Sequence, residues 1–510
     1  MDKKRSLLNV IIGIFFKIVV LVVTLLARRY LIRIAGNEAN GVIALFSSII
    51  SFLSITELGV GSAITFCMYK PIVEGDNQKV AALYNLFKKC YFVFGAIVLT
   101  IGLGLTPLVG VLAKDYSLEY NIYLLYIIQL VAVVVSYFGM SNLSLINAYK
   151  NNYITTTISS VFTLLKLGLQ ILVLFLTKSL YFYLGVVIIT ETIQVFFIFF
   201  FTRHKYPVIL SMRGERVDVE TRKNVVKNVK ALFMHKVGAI FVNTIDNVVI
   251  SAILGVVILG YYSNYVTISS ALIGVIALVF QQLVSVVGHS YFSKDPETYH
   301  RYFKFFYLLN YFIASFSFIC YFACITPFIN FFFGENLLLS DAALFVITIN
   351  CFIQYMENAV RLFKDSAGLF YYDRYKSIFE AILNLGLSIA FVYWIGVVGV
   401  IVGTIITNVL ICHVVEPFVL YKHAFKQKPT KYYIINYSLI VAFVGLMFAY
   451  FYLNRLTFNH YLAQFFVNGL IATLFAIPSL VMFLVYSHKN FNLLGMIKSK
   501  LSRHKQKEAE

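Results

Sequence analysis

Lys17, Thr24 and Arg28 interrupt an apolar run at separations of 7 and 11 residues. At about 100° per residue these separations return to nearly the same helix face, so the three side chains form one polar stripe. The pattern recurs 219 residues later: Lys236 stands for Lys17, Asn243 for Thr24, Asn247 for Arg28, and Gly255 and Gly260 stand for Gly36 and Gly41. Lys166 is a further cation inside an apolar run, and Arg29 and Arg33 follow Arg28. A charge at mid-bilayer depth costs ~2.5–3.5 kcal/mol, so it normally faces a cavity or a partner. Cations lining a water-filled lumen would hold an anion by charge-assisted hydrogen bonds. Snorkelling or pairing with a carboxylate is the competing role for Lys17 and Lys166, and interfacial anchoring is the competing role for Arg28, Arg29 and Arg33.

Carboxylates in apolar runs have a second chemistry, because burial raises their pKa and lets them take up a proton or bind sodium. Glu57, Glu191, Asp246 and Glu357 are the candidates for such ion coupling. Each has a plainer alternative: Glu357 can neutralise Arg361 four residues on, and Asp246 can pair with Lys17 or Lys236. Ser47, Ser51, Ser54, Glu57, Gly61 and Thr65 make a stripe at steps of three and four, and small residues at that spacing also permit close helix packing. Thr24, Ser51, Ser54, Asn243 and Asn247 are the expected polar lumen residues.

The elements that must position these groups follow from composition. The chain of 510 residues is 60% hydrophobic and 13% charged, with a mean hydropathy of +0.82. Apolar runs of about 20 residues, without strand-like alternation, mark an all-α polytopic membrane protein. Fourteen spans are expected, near 7–27, 41–67, 84–112, 121–147, 154–177, 181–202, 236–254, 262–289, 304–330, 342–364, 376–394, 397–420, 432–453 and 463–487. With the N-terminus inside, most of the 42 lysines and arginines fall on one side, so both termini are expected in the cytoplasm. The net charge of +19 therefore lies between spans, which removes the nucleic-acid reading. The offset of 219, with Thr106-Pro107 echoed by Thr326-Pro327 and Leu167-Gly168-Leu169 by Leu385-Gly386-Leu387, implies a duplication of six spans in parallel orientation. The organisation expected is a six-helix bundle over 1–202, a basic linker over 203–235, a second bundle over 236–421, two added helices over 432–487 and a basic tail over 488–510 that anchors at anionic lipid. The six cysteines lack a CxxC pattern and read as small apolar side chains. No Walker A motif, Ser-His pair or sizeable outer loop suggests an enzyme or a resident metal, and His235, His289 and His413 fall near inner span ends.

With the six-plus-six repeat and two extra spans, Arg33-Ile34-Ala35-Gly36 to Gly41, Glu57-Leu58-Gly59-Val60-Gly61-Ser62-Ala63 and Ala148-Tyr149-Lys150-Asn151-Asn152-Tyr153, the chain resembles the Wzx-type polysaccharide or O-antigen flippases. These belong to the multidrug/oligosaccharidyl-lipid/polysaccharide (MOP) exporter superfamily. The resemblance implies two MATE-like bundles in a V, alternating access, and a bacterial cytoplasmic membrane. It implies passage of undecaprenyl-diphosphate-linked oligosaccharide from the inner to the outer leaflet, with membrane lipids and polysaccharide polymerase or assembly proteins as partners. Lys17, Arg28, Lys166, Arg33 and Lys236 would contact the diphosphate; no cofactor is implied beyond a coupling proton or sodium ion. Asn247, opposite Arg28 in the repeat, leaves the second half less cationic. The alternatives are a cation-coupled multidrug exporter of MATE type, a membrane-embedded polymerase or ligase, and an assembly scaffold without transport.

Overall fold

Apolar runs this long have no water to satisfy their backbone groups within a bilayer, so the chain closes its hydrogen bonds within helices. The computed structural model describes residues 3–54, 60–212, 217, 244–369, 372–454, 456 and 458–491. Their order is α1 (Lys3–Leu53), α2 (Val60–Glu74), α3 (Asn77–Leu112), α4 (Ile122–Ala148), α5 (Asn152–Thr177), α6 (Leu180–Lys205), the short α7 (Pro207–Ser211) and α8 (Thr244–Leu254). Then follow α9 (Val256–Ser293), α10 (Pro296–Phe332), α11 (Asp341–Ser366), α12 (Lys376–Ile395), α13 (Val397–Phe425), α14 (Thr430–Leu453) and α15 (Tyr461–Phe491). Among the described residues there is no strand, and eleven helices are long and apolar enough to cross a membrane. The expected all-α membrane architecture is the one observed.

The start of the chain differs from expectation. Residues 28–40 read as a loop between two spans, yet α1 continues through them with a single break at Gly36 (φ 85°, ψ 164°), a conformation open to glycine alone. Its repeat partner Gly255 also has positive φ (100°) and separates α8 from α9. One glycine kinks a helix and the other parts two.

The chain divides into two compact units: Met1–Ala271 with Ser377–Gly403, and Leu272–Lys376 with Thr404–Glu510. In the first, α1 packs along α5, and α4 lies against α3 and α6. Here α9 crosses α1 where Gly41 and Gly260 meet: a Cβ on Gly41 would overlap the Val256 carbonyl and lie 2.9 Å from the Gly260 nitrogen. Asn37 and Asn40 seal the crossing, donating to the carbonyls of Val257 (2.9 Å) and Gly260 (3.0 Å). Also in this unit, α12 turns into α13 at Gly396 (φ 60°), and Gly403 lies so close to Ser388 that a Cβ would come within 2.8 Å of its nitrogen.

In the second unit α10 packs on α11 and α15 around an aromatic core that includes Phe303, Phe352, Phe363 and Phe443. Pro107 in α3 and Pro327 in α10, the repeated Thr-Pro pairs, each lie inside a helix a little over one turn from its end. The start of α10 is capped by Asp295, which accepts from the Thr298 N–H at 2.9 Å; that bond holds the carboxyl below its usual pKa. A depressed pKa contributes stability above the unfolded value, lost as pH falls through the folded one. Asp295→Ala should therefore lower the melting temperature at pH 7, with the gap to the parent closing in acid, while Asp295→Asn retains the acceptor.

Candidate functional site

Arg28 is positioned by the α1–α9 crossing. Its Nη1 donates to the Ser263 carbonyl (2.8 Å), and lies 3.2 Å from the Ser263 hydroxyl and 3.3 Å from Asn264 Oδ1. Asn40 Nδ2 converges on the same group, at 3.0 Å from Ser263 Oγ and 3.1 Å from Asn264 Oδ1. The acceptors are all neutral, and among the described residues Arg28 has no carboxylate partner. A guanidinium carries five N–H donors, of which two are on Nη1. The Nε and Nη2 donors thus make no hydrogen bond among the described residues, and they form the fork that suits a phosphate or carboxylate.

The other expected cations are arranged differently. Lys17 is half-buried on the same helix, about two turns from Thr24, whose hydroxyl donates to the Val20 carbonyl at 2.7 Å. Arg33 is exposed. Lys166 on α5 and Glu191 on α6, given separate tasks by sequence reasoning, form one ion pair at 3.2 Å with side-chain exposures of 25% and 18%. Lys236, Asn243 and Glu57 lie outside the described residues.

The serine stripe spends its hydroxyls locally. Ser51 donates to the Ser47 carbonyl (2.7 Å) and Ser54 to the Ile50 carbonyl (3.1 Å). Ser47 and Ser54 also accept from α4, from Gln129 (3.2 Å) and Tyr137 (3.1 Å) respectively. Asp246 is buried on α8, and Asn247 beside it donates to Ser48 at 2.9 Å.

Glu357 belongs to the second unit and to a larger charge cluster. It pairs with Arg361 on α11, and its Oε1 lies 3.7 Å from His413 Nε2 on α13. Glu416, one turn beyond His413, faces three cations: Lys376 at 2.7 Å, Lys364 at 3.3 Å and Arg361 at 3.6 Å. Lys364 also pairs with Asp373. All but the half-exposed Arg361 are buried. His413 is fixed in orientation by the polar groups around it: Tyr307 donates to Asn436 (2.7 Å), Asn436 Nδ2 lies 3.0 Å from His413 Nδ1, and Nε2 lies 3.0 Å from the Ile353 carbonyl. With Asn436 Oδ1 accepting from tyrosine, its amide nitrogen faces Nδ1 as a donor, and Nε2 faces the Ile353 carbonyl.

Sequence reasoning missed Asn37, Asn40, Ser263 and Asn264 as the partners that hold Arg28 and its helix. The available signal was Gly41 and Gly260 at the repeat offset, which locates a close crossing whose neighbouring amides must find partners.

No protein-family model matches the chain, and no curated protein matches its sequence. Solved structures do match. An inward-facing multidrug-resistance transporter of the MATE family aligns with 81% of this chain and 98% of its own at 15% identity and TM-score 0.63. The lipid II flippase MurJ, in an inward closed conformation, aligns with 96% of this chain and 99% of its own at 16% identity and TM-score 0.64. A transporter from Pyrococcus furiosus, described for the reversed polarity of its binding pocket, aligns with 84% of this chain and 98% of its own at 13% identity and TM-score 0.54. The first and third are described as transporters of the MOP superfamily, and this chain has the fold that the three structures share.

Proposed function

We propose that the chain is a flippase that moves polyprenyl-diphosphate-linked oligosaccharide repeat units from the inner to the outer leaflet of a bacterial cytoplasmic membrane, for cell-surface polysaccharide assembly. The observation that carries this reading is Arg28: a guanidinium held at one nitrogen by neutral oxygens, with its remaining fork unclaimed among the described residues. A diphosphate supplies the oxygens that such a fork accepts. Lys17 stands on the same stripe, and Lys166 retains enough exposure to exchange Glu191 for a phosphate oxygen. The likeness to a lipid II flippase over nearly the whole chain supports a lipid-linked passenger. Alternating access reset by a proton or sodium ion at Asp246, Glu357, Glu191 or Glu57 completes the proposed cycle.

The rival is a cation-coupled multidrug exporter, supported by the MATE likeness. A guanidinium with no carboxylate partner among the described residues repels cationic drugs, and so favours the flippase. Arg28→Ala and Lys17→Ala should each lower polymer export at least about tenfold, the effect of ~1.4 kcal/mol, with protein abundance unchanged. Arg28→Lys, which keeps the charge and loses the fork, should fall between. Normal export in both alanine variants would remove the diphosphate assignment.

A further inference from the structure

The acceptors that hold Arg28 are fixed in orientation by their own neighbours. Asn40 Nδ2 lies 3.0 Å from the Gly260 carbonyl, which can only accept, so Asn40 is the donor here and Asn264 Oδ1, 3.1 Å away, is the acceptor. The Ser263 hydroxyl gives its own proton to the Gly260 carbonyl at 3.0 Å and therefore meets Arg28 Nη1 with a lone pair. Because Arg28 and Asn40 both donate to Asn264 Oδ1, the amide nitrogen of Asn264 is turned away from them. That nitrogen is buried and makes no hydrogen bond among the described residues, on a residue that is 0% exposed.

An aspartate would suit this position better than the asparagine does. It has the same shape and would lose no hydrogen bond, since the nitrogen it replaces makes none among the described residues. It would give Arg28 a charge-assisted bond in place of a neutral one, and buried charges are ordinarily paired. A buried donor without an acceptor lowers stability, and proteins depart from full satisfaction chiefly where function requires it. The property at issue is the charge of Arg28. Its acceptors are a backbone carbonyl, a hydroxyl and an amide, all neutral, and the Tyr183 phenol of α6 is its further titratable neighbour among the described residues. Neutral acceptors orient one nitrogen of the guanidinium and leave its positive charge to act on a ligand. A carboxylate at position 264 would orient it as well and cancel that charge.

We infer that Asn264 is a specificity-determining residue: an amide stands where a carboxylate would be the stronger partner, so that Arg28 is positioned without being neutralised and the site selects phosphate-bearing passengers over uncharged or cationic ones. The inference rests on the flippase reading for the passenger, and on the α1–α9 crossing for the geometry. Asn40 is the positioning residue of the group, since it donates to Ser263 and Asn264 alike.

The test uses the full chain purified in phosphatidylcholine nanodiscs, with polymer export followed in the host membrane. The probes are undecaprenyl diphosphate carrying no sugar and the uncharged alcohol undecaprenol. Asn264→Asp should melt at or above the parent temperature, yet bind undecaprenyl diphosphate at least about tenfold more weakly, the equivalent of ~1.4 kcal/mol, and export correspondingly less. Its binding of undecaprenol should equal the parent's. Asn264→Ala, which removes the acceptor and adds no charge, should melt below the parent and lose no more than about threefold in diphosphate affinity. Parental diphosphate affinity in Asn264→Asp, with Arg28→Ala defective, overturns the role of Asn264 and leaves the flippase reading standing. Parental affinity and export in Arg28→Ala remove the flippase reading and this inference with it. Equal losses in Asn264→Asp and Asn264→Ala would show that position 264 acts through shape alone, and a matching loss of undecaprenol binding would show that the defect does not follow charge; either result overturns the inference. So does a melting temperature for Asn264→Asp below that of Asn264→Ala, because the carboxylate would then not be the better partner.

Discussion

Gly41→Ala is expected to cost ~3 kcal/mol or more, and to leave little folded protein by size-exclusion chromatography. The new methyl group would overlap the Val256 carbonyl and press on the Gly260 nitrogen, and backbone atoms cannot rotate away as a side chain can. Gly260→Ala should behave alike, since its Cβ would meet the Asn37 carbonyl and come within 2.5 Å of the Asn37 amide nitrogen. Whatever protein survives should export poorly, because Ser263 and Asn264, which hold Arg28, lie one turn beyond Gly260. Gly104→Ala and Gly445→Ala are the controls: both are helical glycines with open space around the added carbon, and alanine there should be neutral or stabilising by up to ~1 kcal/mol. Equal melting temperatures for Gly41→Ala and Gly445→Ala would refute the crossing.

Glu416→Gln is expected to cost ~3–5 kcal/mol, the effect of breaking a buried pair and leaving its partner charged. Glu416 is buried and is the shared partner of Lys376, Lys364 and Arg361, and the substitution removes its ion pairs to them, the 2.7 Å pair with Lys376 included. The double variant Glu416→Leu with Lys376→Met should recover much of that loss, because a matched apolar pair removes both desolvation penalties. Thermal unfolding of the three proteins in one detergent checks this, and additive losses in the double variant would contradict the pairing.

How far these sites were legible in the sequence depended on distance along the chain. Thr24 and Arg28 share a helix, and Gly36 and Gly255 share a repeat offset, so periodicity alone pointed to them; both glycines indeed take positive φ. Arg361 lies four residues from Glu357 and their pairing could be anticipated, as it is observed. Lys166 and Glu191 belong to different helices, and no spacing rule connects them. Glu416 is further still from Lys364 and Lys376, and only folding buries them beside it. The continuity of α1 was hidden for a local reason. Gly36, Asn37, Glu38 and Asn40 have the composition of a turn, but Asn37 and Asn40 are kept in the helix by carbonyls of α9 that only the fold brings near.

Arg28, which has no carboxylate partner among the described residues, also has an electrical consequence. Any step that carries it along the membrane normal is subject to the transmembrane voltage, at about 2.3 kcal/mol per elementary charge per 100 mV for a full crossing. Lys166 and Glu191, moving as a neutral pair, would be blind to the same field. Turnover in polarised proteoliposomes should therefore depend on voltage through the first residue and not through the second pair.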